Sequence, residues 1–407
     1  MTARQEAHIN PEVIAWARKT SRLSIEEAAR KIGRTSEDIL AWENGEKLPT
    51  LAQARKAAEV YKRPLALFYF PKPPKDFSVL KDYRRVPEGE SEEFTPELAY
   101  LIRQTQNRQE WMREFLMAAR VQPLGFVGST NTKEEPIKLA SKIRQAVGVT
   151  SEEISQTRTV DEALLLWITK TESLGIYVFQ AGSMLGQIIP PSVARGFLLT
   201  DEYAPFIFLN YQDAKAARIF TLAHELVHLW IGEPGVSNLE NSGPPRNTKD
   251  RVEVYCNQVA AEILMPWDSF VIQWESMDPD APQMERIALA ANKFKVSREV
   301  VARRLLNMKK MNQEDYDKTI EQYRDEWKKE RLNIKEKNKK NDESAPVYHP
   351  MKLNSNGKSF SRTVISAYKR GELSGRDTSK LLDMKLNHIP KQAKLLKLPI
   401  GNGRYQP

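Results

Sequence analysis

One cysteine, Cys256, stands in the 407 residues of the chain. That excludes a disulfide framework within it and agrees with a reducing compartment, since disulfides persist in oxidising ones. Long apolar runs are missing as well. None follows the basic start, and none reaches the roughly 18 residues that a membrane helix requires. A soluble, cytoplasmic protein with no membrane partner is therefore expected. Histidine is scarce, at five in the chain. Net charge is nearly absent over residues 1–326, where 43 Lys and Arg face 46 Asp and Glu; the formal +9 of the chain comes from residues 327–407, with 19 basic against 7 acidic side chains. A tail of that sign either meets nucleic acid or an acidic partner, or consists of solvated lysine on linker and helix surfaces. The length calls for two or three domains rather than one core.

Two of the five histidines fall together. Residues 213–231 hold His224, Glu225 and His228 inside an almost unbroken apolar run. On a helix His224 and His228 lie one turn apart on one face, so two imidazoles can grip one cation, while Glu225, about 100° round, faces water bound to it. This is the HExxH arrangement of zinc hydrolases, and with so few histidines chance seldom produces it. The helix is apolar nearly all round and hence buried. Buried, each of its polar atoms needs a partner.

A zinc centre needs at least a third protein ligand. The extended metzincin motif would place Gly and His where Ile231 and Pro234 stand, so that class is excluded. A second helix over residues 249–265 offers Glu253 and Glu262. With Glu253 as zero on a helical wheel, Val252, Cys256, Asn257, Val259, Ala260, Ile263 and Leu264 all fall between about −120° and +40°. Glu253 is thus the carboxylate of the buried face, and Glu262, near 180°, reads as solvated. Asn257, one turn after Glu253, is placed to hold a liganding imidazole by its other ring nitrogen.

Three stretches resemble the ImmA/IrrE family of metallopeptidases: FTLAHELVHLW (220–230), the pattern E-x-x-C-N-x-x-A-A-E-I-L-M-P (253–266), and RGFLL…FIFLN before the first helix. The resemblance implies that His224, His228 and Glu253 are the ligands of a Zn²⁺ ion and Glu225 the general base. It also implies the substrate, a helix-turn-helix repressor whose cleavage releases stress-response or mobile-element genes. Cys256 departs from the family pattern, which has Ala there. Being small and buried, it disturbs the packing little, though a thiol beside zinc is oxidisable.

Residues 8–70 read as short helices with clear starts. Asn10-Pro11 supplies a cap with proline in the first turn, Ser24…Glu27 and Thr50…Gln53 are capping boxes, and Thr35 caps a third helix. Helix IEEAARKI, a turn at Gly33-Arg34 and helix SEDILAWEN form a helix-turn-helix that resembles a Cro/CI-type (XRE) domain, in the version fused ahead of ImmA/IrrE peptidases. Arg30, Lys31, Arg34, Thr35 and Ser36 are the candidate DNA contacts, with Arg18, Lys19 and Arg22 as further backbone holders. Against this, the first turn of the second helix carries Glu37 and Asp38, which phosphate repels. The alternative use of the bundle is protein contact.

Thr95-Pro96 opens a long helix; helices over 136–147 and 161–174 follow, and then strands over 176–179, 196–200 and 205–209, the last two joined as a hairpin. Strand 196–199 is the expected edge for pairing with an extended substrate. The Gly- and Pro-rich stretch 232–249 reads as a loop over the cleft. Residues 283–308 give two more helices, with Ser297 as a cap; packing is their first reading and a second DNA-binding unit the weaker one. Residues 335–346 are a linker by composition. The tail carries helices over 361–369 and 374–382, and His349 and His388 read as isolated. The expected class is α+β, mainly helical: a five-helix helix-turn-helix domain (1–75), a zincin-like, gluzincin peptidase domain with a small sheet beside the HExxH helix (76–308), a polar helix and linker (309–346), and a small basic helical module (347–407). Its function is then that of a zinc endopeptidase. The competing readings are a DNA-binding regulator whose zincin domain senses without turnover, and an interaction protein with a structural metal.

Overall fold

The computed structural model describes residues 5–74, 95–184, 187–233, 236–237, 248–323, 325–326 and 348–398. The connector after Pro74, most of the loop expected over the cleft and the linker 335–346 lie outside the described residues. Two compact units result, one of residues 1–108 with 183–193 and one of 109–182 with 194–407. The fold is mainly helical with a small sheet.

The first unit is a helix-turn-helix bundle, and each helix begins where its capping residue dictates. Helices α1 (Pro11–Thr20), α2 (Ile25–Ile32), α3 (Ser36–Asn44) and α4 (Leu51–Tyr61) are capped by Asn10, Ser24, Thr35 and Thr50, the second and fourth with complete capping boxes. A 3₁₀ turn at Leu65–Tyr69 closes the bundle over a core that includes Ile14, Ile39, Trp42, Tyr61 and Phe68. Gly33 ends α2 in the left-handed region, at φ 77°, where a side chain would be strained. Arg18 does not face outward as expected. It is buried and forked onto Glu43 at 2.6 and 2.9 Å, with a third bond to the Leu23 carbonyl, so it braces α1 against α3 and is unavailable to phosphate.

In the second unit α6 (Pro136–Val147), α7 (Ser151–Gln156) and α8 (Val160–Ser173) precede the sheet. Long helix α5 (Pro96–Ala118) crosses the boundary between the units. Strands β1 (Tyr177–Ala181), β4 (Gly196–Leu199), β5 (Phe206–Asn210) and β6 (Val236–Ser237) run in the order β1-β5-β4-β6, with β1 parallel to β5 and the other pairs antiparallel. In the first unit, β2 (Ser183–Met184) and β3 (Gln187–Ile188) form a two-stranded antiparallel hairpin. Strand β4 is not the open edge the sequence suggested. Backbone pairing of Gly196 with Ser237 and of Phe197 with Val236 fills its outer side, and the Leu199 carbonyl already accepts from Gln109.

Helices α9 (Lys215–Ile231) and α10 (Thr248–Leu264) lie against one another, α9 against the sheet and α10 against α6. Then come α11 (Trp267–Glu275), α12 (Gln283–Phe294), α13 (Arg298–Asn307), capped by Ser297, and α14 (313–323). The arginines of α13 are spent internally: Arg298 pairs with Glu326, Arg303 lies over Tyr316, and Arg304 is buried on Glu262.

Four helices of the tail, α15 (Tyr348–Asn356), α16 (Lys358–Lys369), α17 (Gly375–Leu382) and α18 (Ile389–Leu395), belong to the same compact unit. Phe360 is fully buried among Trp111, Tyr177, Phe179 and Phe206, with ring centroids 5.6 to 6.5 Å away. Between α15 and α16 the chain presses so closely on β1 that a Cβ at Gly357 would lie 2.6 Å from the Val178 carbonyl oxygen. His349 and His388 are not isolated; packing of α15 against the turn before α18 brings their rings to 5.1 Å. No helix among the described residues is long and apolar enough to cross a membrane.

Candidate metal centre

Helix α9 is held at its C-terminal end. Gly232 closes its last turn at φ 79°, and the Gly128 and Thr130 amides donate to the Leu229 and Trp230 carbonyls. Phe126 stacks on Trp230 at 4.4 Å. The approach is so tight that a Cβ on Gly232 would sit 2.9 Å from the Gly128 Cα. Helix α10 is fixed by its far end: Arg304 donates to the Ala261 and Met265 carbonyls and to the Glu262 carboxylate, and Arg144 donates to the Ile263 carbonyl. Glu262 is not the solvated residue that the helical wheel predicts. It is buried, paired with Arg304 at 2.6 Å, and accepts from the Trp267 amide. A wheel drawn for one packing face cannot see that α13 covers the other.

These supports bring three side chains to a point. The Nε2 atoms of His224 and His228 are 3.0 Å apart. One carboxylate serves both, with Glu253 Oε2 3.1 Å from His224 Nε2 and Oε1 3.4 Å from His228 Nε2. Tetrahedral ligands about 2.0–2.1 Å from a zinc ion lie about 3.3 Å from each other, so the two nitrogens and the carboxylate, with one oxygen near each ring, are spaced as ligands of a single ion. Among the described residues this is the one group of three or more His, Cys, Asp or Glu so arranged. Two nitrogens with one oxygen are also the donor set that zinc takes in catalytic sites, and the residues therefore fit the ion.

Asn257, one turn beyond Glu253 on α10, accepts from His224 Nδ1 at 2.9 Å. With the proton on Nδ1, the lone pair of Nε2 is left to face the carboxylate and the cation site. The Cys256 thiol lies beside His228, and burial pushes it up from its usual range. For His228 burial works the other way, but its hydrogen bonds with Cys256 and Glu253 outweigh that and hold it well above the ordinary imidazole value. Burial alone would raise the Glu253 carboxyl; the two imidazoles more than offset it and keep it far below the usual carboxylate range. The histidines are almost wholly enclosed, whereas the Glu253 side chain keeps 19% of its surface exposed, so the centre opens on that side.

Glu225 is fully buried on α9, where the helix faces β4. Gly196 is the strand residue at that crossing, and its lack of a side chain is required. A Cβ there would collide with the Thr221 methyl, lie 2.8 Å from the Phe208 carbonyl oxygen, and approach Glu225 Oε1 to 3.3 Å. Sequence reading valued residues 196–199 as a substrate edge and missed this role, although a glycine opening an apolar strand is itself a mark of close approach. The residues expected to touch DNA lie elsewhere, in the first unit. Arg30, Lys31, Arg34 and Thr35 are exposed and Ser36 is half-buried. Thr35 caps α3 through the Asp38 amide, and Asp38 is tied to Lys47 at 2.7 Å.

Comparison with known families agrees with both halves of this description. Residues 171–306 match the family model described as the IrrE N-terminal-like domain, of peptidase family M78, and residues 14–68 match that of a helix-turn-helix. A search of the curated proteins found no match. The peptidase match spans α9 and α10 together with the sheet, and the other spans α1 to the 3₁₀ turn. The two matches in this order are those of an ImmA/IrrE protein with an N-terminal helix-turn-helix domain.

Proposed function

We propose that the chain is a zinc-dependent endopeptidase of the ImmA/IrrE type, in which His224, His228 and Glu253 hold the metal, Glu225 is the general base and Asn257 orients His224. The observation that carries this reading is the triangle of two imidazole nitrogens and one carboxylate, with edges of 3.0 to 3.4 Å. A zinc ion held there supplies Lewis acidity, polarising a peptide carbonyl and acidifying water. Glu225, adjacent to the first ligand on α9, takes the proton of the attacking water and returns it to the departing amine. Asn257 keeps His224 in the tautomer that offers Nε2 inward. Gly196 leaves the room in which the Glu225 carboxylate stands.

The family resemblance supports a helix-turn-helix repressor as substrate, cut to release the genes it holds silent, and the helix-turn-helix domain supports DNA as a second partner. The centre is not built only to stabilise a fold, because a structural site has no use for a carboxylate beside the first histidine. The test is to co-express the chain, and its Glu225→Gln variant, with helix-turn-helix repressors encoded beside it and to map cleavage by mass spectrometry. Wild type should cut one of them and the variant should retain zinc without cutting. Equal cleavage by the variant would reject the role of Glu225, and zinc-loaded wild type that cuts none of them would favour a sensor without turnover.

A further inference from the structure

The tail repeats the N-terminal helix-turn-helix at a constant offset of 350 positions, as from Ser24 to Ser374. Both serines cap an eight-residue helix by accepting from the amide three residues on, Glu27 in α2 and Asp377 in α17. Both helices stop on a left-handed residue, Gly33 at φ 77°, ψ 46° and Asp383 at φ 47°, ψ 51°. Aspartate is among the few residues with a side chain that enter this region readily. In both, the next amide then folds back to the same carbonyl: Arg34 to Ala29 at 2.9 Å and Met384 to Ser379 at 3.1 Å.

The buried positions keep the register. Ile14 and Ala17 of α1 correspond to Val364 and Ala367 of α16, and all four are fully buried or nearly so. Ala28 and Ile32 of α2 correspond to Thr378 and Leu382 of α17. In the helix after the turn, Ile39 and Trp42 correspond to Ile389 and Gln392. The two polar substitutes each donate a hydrogen bond at 2.8 Å, Thr378 to the Ser374 carbonyl and Gln392 to the His349 carbonyl. Cap, left-handed stop, turn and buried register are thus shared by the two segments.

The two copies differ where such a motif meets DNA. At the start of the helix after the turn, the first copy has Ser36, Glu37 and Asp38, and the second has Leu386, Asn387 and His388. No acidic residue stands between Met384 and Leu398, and Lys385, Asn387, Lys391 and Lys394 are all exposed. We infer that residues 358–398 are a second helix-turn-helix, whose 3₁₀ turn Leu386–His388 and following helix α18 enter the major groove of duplex DNA. Lys385, Lys391 and Lys394 meet phosphates, and Asn387 meets base edges, where an amide pairs with adenine.

Because Phe360 seats α16 in the peptidase sheet, the test uses the full chain. Arg30→Ala, Lys31→Ala and Arg34→Ala first strip the N-terminal copy, and binding to a fluorescent random-sequence duplex is then followed by anisotropy across a salt series. This parent should still bind. Adding Lys385→Ala, Lys391→Ala and Lys394→Ala should weaken binding about tenfold or more and flatten the slope of log affinity against log salt by about 2.7, or about 0.9 per lost phosphate contact. Lys391→Arg with Lys394→Arg should bind like the parent, and Asn387→Ala should change the selected sequences but not the salt slope. A parent that does not bind, or a triple variant that binds as the parent does, would overturn the inference. Displacement by a polyglutamate peptide as readily as by unlabelled duplex would mark a surface for acidic protein and overturn it too.

Discussion

Helix α10 carries two buried carboxylates nine residues apart, and they are neutralised in opposite ways. Glu262 has a permanent cation, Arg304, at 2.6 Å, with further bonds that tie both to the end of the helix. Glu253 has two imidazoles at 3.1 and 3.4 Å, bases that are neutral in the state that binds a metal. A guanidinium cannot leave or lose its charge, so the first pair fixes the backbone. Imidazoles can lose their protons to solvent and turn the freed lone pairs to a cation, so the second is the pair proposed to hold the metal. The lesson is that burial of a carboxylate alone does not mark function; the chemistry of its partner does.

Breaking each pair from one side separates the two roles. Glu253→Gln deletes one of the three proposed protein ligands; dividing the roughly 10–16 kcal/mol of a structural zinc site over four ligands gives about 3 kcal/mol for one. Zinc affinity, read by competition with a chromogenic chelator, should fall about a hundredfold or more while the metal-free chain melts close to wild type. Arg304→Ala should do the reverse. It leaves Glu262 buried without its cation, at a cost of about 3–5 kcal/mol, seen as a lower melting temperature and as weaker zinc binding only through loss of fold. Replacing both Glu262 and Arg304 by Met should recover much of that stability, because the isolated buried charge is then gone.

Smaller effects refine the comparison. Asn257→Ala removes the acceptor that orients His224 and should weaken zinc binding about 10–100-fold without affecting the fold. Glu172 supplies a third kind of buried carboxylate, one with no direct cation. It accepts from the Ser359 amide at 3.3 Å, and burial pushes its carboxyl up from 4.5 to about 7. A folded-state value above the unfolded one means that the contribution of Glu172 is fully present below about pH 4.5 and is lost as pH rises through 7. Glu172→Gln should therefore raise the melting temperature at pH 8, by the equivalent of about 3 kcal/mol, and change it little at pH 4.5. A larger gain at pH 4.5 than at pH 8 would reverse the assignment.

What could be read in the sequence follows the range of the interaction. Caps act over three residues, so Asn10, Ser24, Thr35, Thr50 and Ser297 marked their helices correctly. The one-turn spacing of His224 and His228, and the face shared by Glu253 and Asn257, are equally local. What failed depends on partners remote in the chain. Arg18 looked free because Glu43 is 25 residues away, and Glu262 looked solvated because Arg304 is 42 away. The β4 edge looked open because β6 returns to it only after α9. His349 and His388 looked solitary because the helices that join them leave no spacing signal.

The central claim is that two imidazoles and one acid from neighbouring helices make a single zinc site, and metal counting tests it most directly. Elemental analysis of purified wild type, Glu225→Gln and the double variant His224→Ala/Glu253→Ala, each dialysed against the same trace zinc, should return one zinc per chain for the first two and none for the third. A double variant that keeps a full equivalent of zinc, or a folded wild type that holds none, would contradict the account.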